Sequence, residues 1–331
     1  MLKGYTKQEI SWMMYDWANS AHSVIIVTLL PIFFDTVAGY TADSVSSMST
    51  WGYATSIAML IVALAAPFLG VFGDIRGMRK KLFSFFMLLG VAACAGMAFT
   101  PGMDFTSGPV AAGKVASLIL VLYIVSVIGF DASAIYYDAF LTDVTTEDRM
   151  DKVSTMGYGL GYIGGSTIPL LIFLIMNLVG VPMLTCLAFV FGLTAVWWLA
   201  FSLPLLKNCE QTSGKPYEKG DVARSIKGVG TTIKEIIANK PMLIYILSYF
   251  FYIDGVHTVI SMATTYGTNL GLDSTGMMLA LLLVQILGLP FCLLYIKCSE
   301  KFGARTMVGF GICVYMFICI FAFFMNSLWQ V

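Results

Sequence analysis

Charge is scarce in this chain. Only 11% of its 331 residues are Asp, Glu, Lys or Arg, while 58% are hydrophobic and the mean hydropathy is +0.84. Soluble domains carry roughly a quarter charged residues, so too little polar side chain is present to cover a globule in water. Period-2 alternation is also missing. The apolar runs are unbroken and too long for barrel strands, which excludes a β-barrel. Histidine is limited to two, and none of the seven cysteines forms a Cys-x-x-Cys pair. A zinc cage is therefore not expected, and the thiols read as small buried hydrophobes. No glycine-rich phosphate loop or nucleophile elbow stands in a workable context, so neither an enzyme, a cofactor nor a nucleic-acid partner is expected. A cleavable secretory signal is also not expected. Thr6-Lys7-Gln8-Glu9 has the capping-box pattern, and the helix it opens runs to about Gly39, far past a signal-peptide core.

What is present is an all-α polytopic membrane protein. At about 20 apolar residues per crossing, roughly nine transmembrane helices are expected, at 12–38, 51–73, 82–100, 115–142, 153–178, 182–206, 241–266, 275–297 and 305–326. The formal net charge of zero hides a strong asymmetry. With these spans, 18 of the 19 basic residues fall on the side of the amino terminus: Lys3, Lys7, Arg76, Arg79, Lys80, Lys81, Arg149, Lys152, the seven from Lys207 to Lys240, and Lys297, Lys301 and Arg305. Only Lys114 falls opposite. The positive-inside rule makes the amino-terminal side cytoplasmic. The stretch 207–240 is the one polar linker, ending in an amphipathic segment around 226–237 expected at the membrane surface. It divides the chain into a six-helix half at 1–206 and a second part at 241–331.

An internal repeat supports that division. Asn19-Ser-Ala-His22-Ser-Val-Ile25 aligns without gaps on Asp254-Gly-Val-His257-Thr-Val-Ile260. Gly73-Asp74-Ile75-Arg76-Gly77-Met78-Arg79 aligns on Ser299-Glu300-Lys301-Phe302-Gly303-Ala304-Arg305. The offsets are 257−22=235 and 305−79=226. Both copies point the same way, a parallel repeat of a six-span half. Since 331−226=105 falls at the end of the third span, the second half is expected to hold three of six helices, as in a chain that stops early.

These residues also carry a family resemblance. Gly73-Asp74-x-Arg76-Gly77-x-Arg79-Lys80 resembles the loop signature of the major facilitator superfamily, between its second and third helices. Within it, Tyr15-Asp16-Trp17-Ala18-Asn19-Ser20-Ala21 looks like the opening motif of the autophagy-related vacuolar effluxers and their bacterial relatives. Asp254-Gly255-Val256 and Gly157-Tyr158-Gly159-Leu160-Gly161-Tyr162-Ile163-Gly164-Gly165 resemble that family's seventh and fifth helices. The resemblance implies a twelve-helix bundle, a cavity lined by helices one, four, seven and ten, and alternating access. It further implies a secondary transporter of small metabolites, amino acids by analogy with the fungal members, multi-pass in a bacterial plasma membrane. The family pattern has an asparagine near Asp138, so the acid there is a departure.

Polar groups in hydrocarbon are costly and mark binding sites or pathways. At about 1.5 Å per residue, Asp16 lies near the cytoplasmic interface, and Asn19 and His22 lie deeper. Asp254, about 20 Å beyond the start of its helix at Pro241, lies near the midplane, with His257 on the same face. Asp131, with Tyr136, Tyr137 and Asp138, supplies a third wall. Asp254 and Asp131 are therefore expected to bind a proton or cationic group, with His257, His22, Asn19 and Asp138 around them. Asp16, Asp74, Arg76, Gly77 and Arg79 are expected to gate, while Asp143 is expected to pair with an arginine of the second connection. Gly157, Gly161 and Gly165 make a smooth face for close helix packing. Two alternatives stand: a satisfied polar network that only fixes packing, and a non-transporting remnant or interaction subunit. The expected partners are a small-molecule substrate, the lipid bilayer, and helices supplied by another chain.

Overall fold

The computed structural model describes residues 2, 4–41, 47–214, 216, 221–269 and 274–324. Lys3, Lys215 and Lys219 of the cationic side, and the last residues of the expected span 305–326, lie outside them. Among the described residues there is no strand, and nine helices are long and apolar enough to cross a membrane.

The first helix, α1 (Lys7–Ala38), starts where its cap dictates. The Glu9 amide donates to Thr6 Oγ1 at 3.1 Å, and the Thr6 amide donates back to Glu9 Oε2 at 2.7 Å. The apolar run begins only near residue 12, so hydropathy alone places the start too late. Then follow α2 (Ser47–Gly73), α3 (Arg79–Met97) and α4 (Pro109–Val144). The fifth span has three parts: α5 (Met150–Leu160), a π-helical turn at Gly161–Thr167, and α6 (Ile168–Leu178). Thr167 Oγ1 donates to the Tyr162 carbonyl, five residues back, at 2.7 Å. The sixth span is α7 (Met183–Asn208).

The chain divides into two compact units, Met1–Lys219 and Gly220–Val331. In the first, α1 is central and packs on α4, α5, the π-helical turn and α7. Its buried residues run from Trp12 and Tyr15 through Ile25 to Phe33, and include Glu9, Asp16, Asn19 and His22. Polar groups survive there because other helices, not lipid, cover them.

The second unit holds α8 (Asp221–Ala238), α9 (Lys240–Asn269), α10 (Ser274–Phe302) and α11 (Ala304–Ala322). The amphipathic segment of the linker is α8, with Val229, Ile233, Ile236 and Ile237 at helical spacing. The repeat read from the loops is visible in the backbone. Gly77, before α3, has φ +81°, and Gly303, before α11, has φ +82°. The separation, 303−77=226, equals the sequence offset. Only glycine takes that left-handed conformation without a steric cost, so both copies of the signature kept it.

Candidate functional site

The site in the first unit is built on one stripe of α1 facing α4. Trp12 stacks on Tyr137 with ring centroids 4.3 Å apart, and its Nε1 donates to the Tyr137 carbonyl at 2.9 Å. The Tyr137 hydroxyl donates to Asp16 Oδ2 at 2.8 Å. One layer on, Tyr15 meets Ser133 at 2.8 Å, and Trp198 Nε1 donates to the Tyr15 oxygen at 3.3 Å. Deeper still, His22 lies flat on Phe130 at 4.7 Å and its Nε2 is 3.3 Å from Ser126 Oγ. Numbers rise along α1 as they fall along α4, so the two helices run antiparallel.

The directions of these bonds follow from counting protons. Ser126 spends its single proton on the Tyr123 carbonyl at 2.9 Å, so it accepts from His22. This fixes His22 as the Nε2–H tautomer and leaves Nδ1 a buried lone pair with no partner. Ser133 likewise donates to the Phe130 carbonyl at 2.8 Å, so Tyr15 donates to Ser133. Trp198, Tyr15, Ser133 and a main-chain carbonyl thus form a one-way relay of donors.

The glycine face of the fifth span closes the opposite side. A Cβ at Gly157 would lie 2.4 Å from Asp16 Oδ2, one at Gly161 2.5 Å from Ser20 Oγ, and one at Gly165 2.5 Å from the Trp17 carbonyl. The same carbonyl accepts from Trp197 Nε1 at 2.9 Å. No side chain fits in that contact, as the four-residue spacing led one to expect.

Asp131 is half-buried on α4, and its Oδ2 has no partner. Asp138, two turns on, is exposed. Tyr136 donates to the Leu69 carbonyl at 3.1 Å, which ties α4 to α2. In the second unit, Asp254 and His257 are both exposed on α9.

At the end of the bundle where α1 begins, Arg79 is buried in the first turn of α3. Its Nη1 donates to the Ala139 carbonyl at 3.0 Å and to Asp143 Oδ2, and its Nη2 lies 3.8 Å from Asp74. The expected acid–arginine pair is therefore made. Arg76 is exposed. Sequence reasoning missed Gln211, Thr212 and Ser213, which also join this cluster. Their polar character reads as solvated linker, and no motif flags them. It also missed Ser126 and Ser133 as acceptors, although their seven-residue spacing on an apolar helix is a signal. Among the described residues, no group of three or more His, Cys, Asp or Glu could hold a metal.

A bundle of membrane-spanning helices with a repeated left-handed turn, an arginine–acid relay under the first copy and a polar stripe inside its first helix is built as a transporter of the major facilitator type. A family model described as "Vacuole effluxer Atg22 like" matches residues 5–330, and the chain belongs to that family. The MFS-type transporter YxiO of Bacillus subtilis is 39% identical over 335 residues, covering 99% of this chain and 76% of that protein. Autophagy-related protein 22-1 of Penicillium rubens is 24% identical over 177 residues, 50% of this chain and 30% of the fungal protein. Of solved structures, a D-xylose-proton symporter matches at 16% identity and TM-score 0.49, over 89% of this chain and 68% of its own.

Proposed function

We propose that this MFS-type transporter moves small metabolites, amino acids first among them, by alternating access coupled to protons. It would sit in a bacterial plasma membrane with its amino terminus in the cytoplasm. The outward direction is carried over from the family description, an effluxer, and the substrate class only from the resemblance to the fungal members. Eighteen of 19 basic residues on one side support the orientation.

Asp131 is the observation that carries the coupling. It is an acid inside a candidate span with one carboxylate oxygen that has no hydrogen-bond partner. An unsatisfied polar group in such surroundings costs several kcal/mol, which a site retains when occupation by a proton or a cationic substrate offsets it. His22 Nδ1 is a second unpartnered atom on the facing helix α1. Asp254 and His257 take the same role for the second unit, by the repeat.

The test uses proteoliposomes, a panel of labelled amino acids and other small metabolites, and an imposed pH gradient. At least one amino acid accumulates with the gradient, and Asp131→Asn abolishes accumulation but leaves downhill exchange. Accumulation unchanged by both Asp131→Asn and Asp254→Asn removes the coupling role. Transport confined to other metabolites removes the substrate class.

A further inference from the structure

Where α7 ends at Asn208, the chain stays on the first unit. Cys209 is buried at the helix end, and the next residues run back across the cytoplasmic turn between α2 and α3. Gln211 spans both sides of that turn. Its Nε2 donates to the Gly73 carbonyl at 3.0 Å, and its Oε1 accepts from the amides of Gly77 at 2.8 Å and Arg79 at 3.3 Å. Thr212 and Ser213 then converge on one oxygen of Asp143. Their amides donate to Oδ1 at 3.1 and 2.9 Å, and their hydroxyls at 2.9 and 2.8 Å. The other oxygen, Oδ2, is the one that holds Arg79. Gly214 follows at φ +119°, so close to the turn that a Cβ would lie 2.7 Å from the Asp74 carbonyl.

The ion pair beneath is sealed: the Arg79 side chain is 5% exposed and that of Asp143 0%. The cover is different in kind. Thr212, Ser213 and Gly214 are exposed, and none of residues 211–214 has an apolar side chain to anchor it. A segment held by polar bonds whose groups find water as soon as they separate opens locally without unfolding the rest. By contrast, Arg79 and Asp143 belong to long helices and cannot leave that way.

We propose that residues 211–214 form a detachable strap over the α2–α3 turn, positioning Arg79 against Asp143 when seated and freeing the turn when lifted. The first residues of the linker would then set how readily the turn moves. Only the purpose of the strap rests on the transporter reading; its seating and release do not.

Cys209 is a native reporter, because it is buried two residues before the strap, with its thiol on the Gln8 carbonyl at 3.6 Å, and lifting the strap loosens the chain that seats it. Burial pushes its thiol up to about 12, so it is covered and protonated while that segment is seated, and only the thiolate reacts. The experiment treats membranes containing the full chain with a permeant maleimide and locates the label by peptide mass spectrometry. Wild-type Cys209 labels slowly. Gln211→Ala and the double variant Thr212→Val/Ser213→Ala each speed it about tenfold, the loss of two or more hydrogen bonds. Cys94, buried in α3, stays protected in every case. In the unaltered protein, hydrogen exchange at the Gly77 and Arg79 amides is faster than in the α1 core, since both bond to the strap. Unchanged Cys209 labelling in both variants overturns the proposal. So does a Cys94 rate that rises in step with Cys209, or equal protection of the turn and the core in wild type. No substrate enters these measurements, so their failure leaves the proposed function standing, and a failed transport assay leaves the strap standing.

Discussion

Asp16 is 7% exposed and receives the Tyr137 hydroxyl on one side, while Gly157 leaves it room on the other. Each neighbour can be removed separately. Tyr137→Phe deletes the donor and leaves a buried carboxylate without it, and loss of about 1–3 kcal/mol is expected, read as a lowered midpoint in thermal unfolding of the purified protein. Gly157→Ala acts in the opposite sense, by crowding. A methyl 2.4 Å from Oδ2 displaces the carboxylate from the Tyr137 hydroxyl, at about 1–3 kcal/mol. Gly52→Ala, where nothing lies within 4 Å, serves as the control and leaves the midpoint within about 0.5 kcal/mol of wild type.

The start of α1 shows how much of an element the sequence discloses. Thr6 and Glu9 form the capping box that their spacing announces. Glu9 is also gripped by Arg149 through Nε and Nη2, both at 2.9 Å, and by the Thr145 hydroxyl at 2.7 Å. That second grip comes from 140 residues away, and no local pattern could reveal it. The same division recurs elsewhere. The Gly157–Gly161–Gly165 spacing gave away a close helix contact, but not that Trp17 and Ser20 would be what it meets. Asp143 could be assigned to an arginine because charge in hydrocarbon needs a partner. The neutral Gln211, under no such compulsion, could not. Arg149→Ala is expected to lower the unfolding midpoint more than Thr6→Ala, because Glu9 stays buried without its partner, although the 34% exposure of the arginine weakens the pair. Thr6→Ala removes only the cap, about 1 kcal/mol. Thermal unfolding of the two variants side by side gives the order.

For the whole molecule, the span count and the charge asymmetry make one joint prediction. In intact cells a cysteine replacing Lys114 reacts with an impermeant maleimide, while cysteines replacing Arg76 or Lys297 react only after permeabilisation. The reverse pattern would invert the orientation, and a tag after Val331 on the cytoplasmic side would remove the odd span count. The nine candidate spans themselves were legible because hydrophobic length is a property of composition. The π-helical turn at Gly161–Thr167 was not, because nothing in its residues distinguishes a five-residue hydrogen-bond step from a four-residue one. That turn has a consequence for how the chain tolerates editing. A π-helical turn accommodates one residue more than an α-helix needs, so deleting Ile163 can be absorbed by tightening into α-helix with no break in the chain. Positions beyond it would then keep nearly their present direction, because the residue removed is the one the wider turn had absorbed. Leu170, Phe173 and Leu174, now turned inward, would stay so. A deletion in the plain α-helix that follows, at Leu171, has no such slack and would rotate every later position by about 100°, swinging Phe173 and Leu174 toward lipid. The turn is therefore a place where the fifth span can lose a residue and keep its phase. Deleting Ile163 is expected to lower the unfolding temperature less than deleting Leu171, with circular dichroism recording retained helix in both.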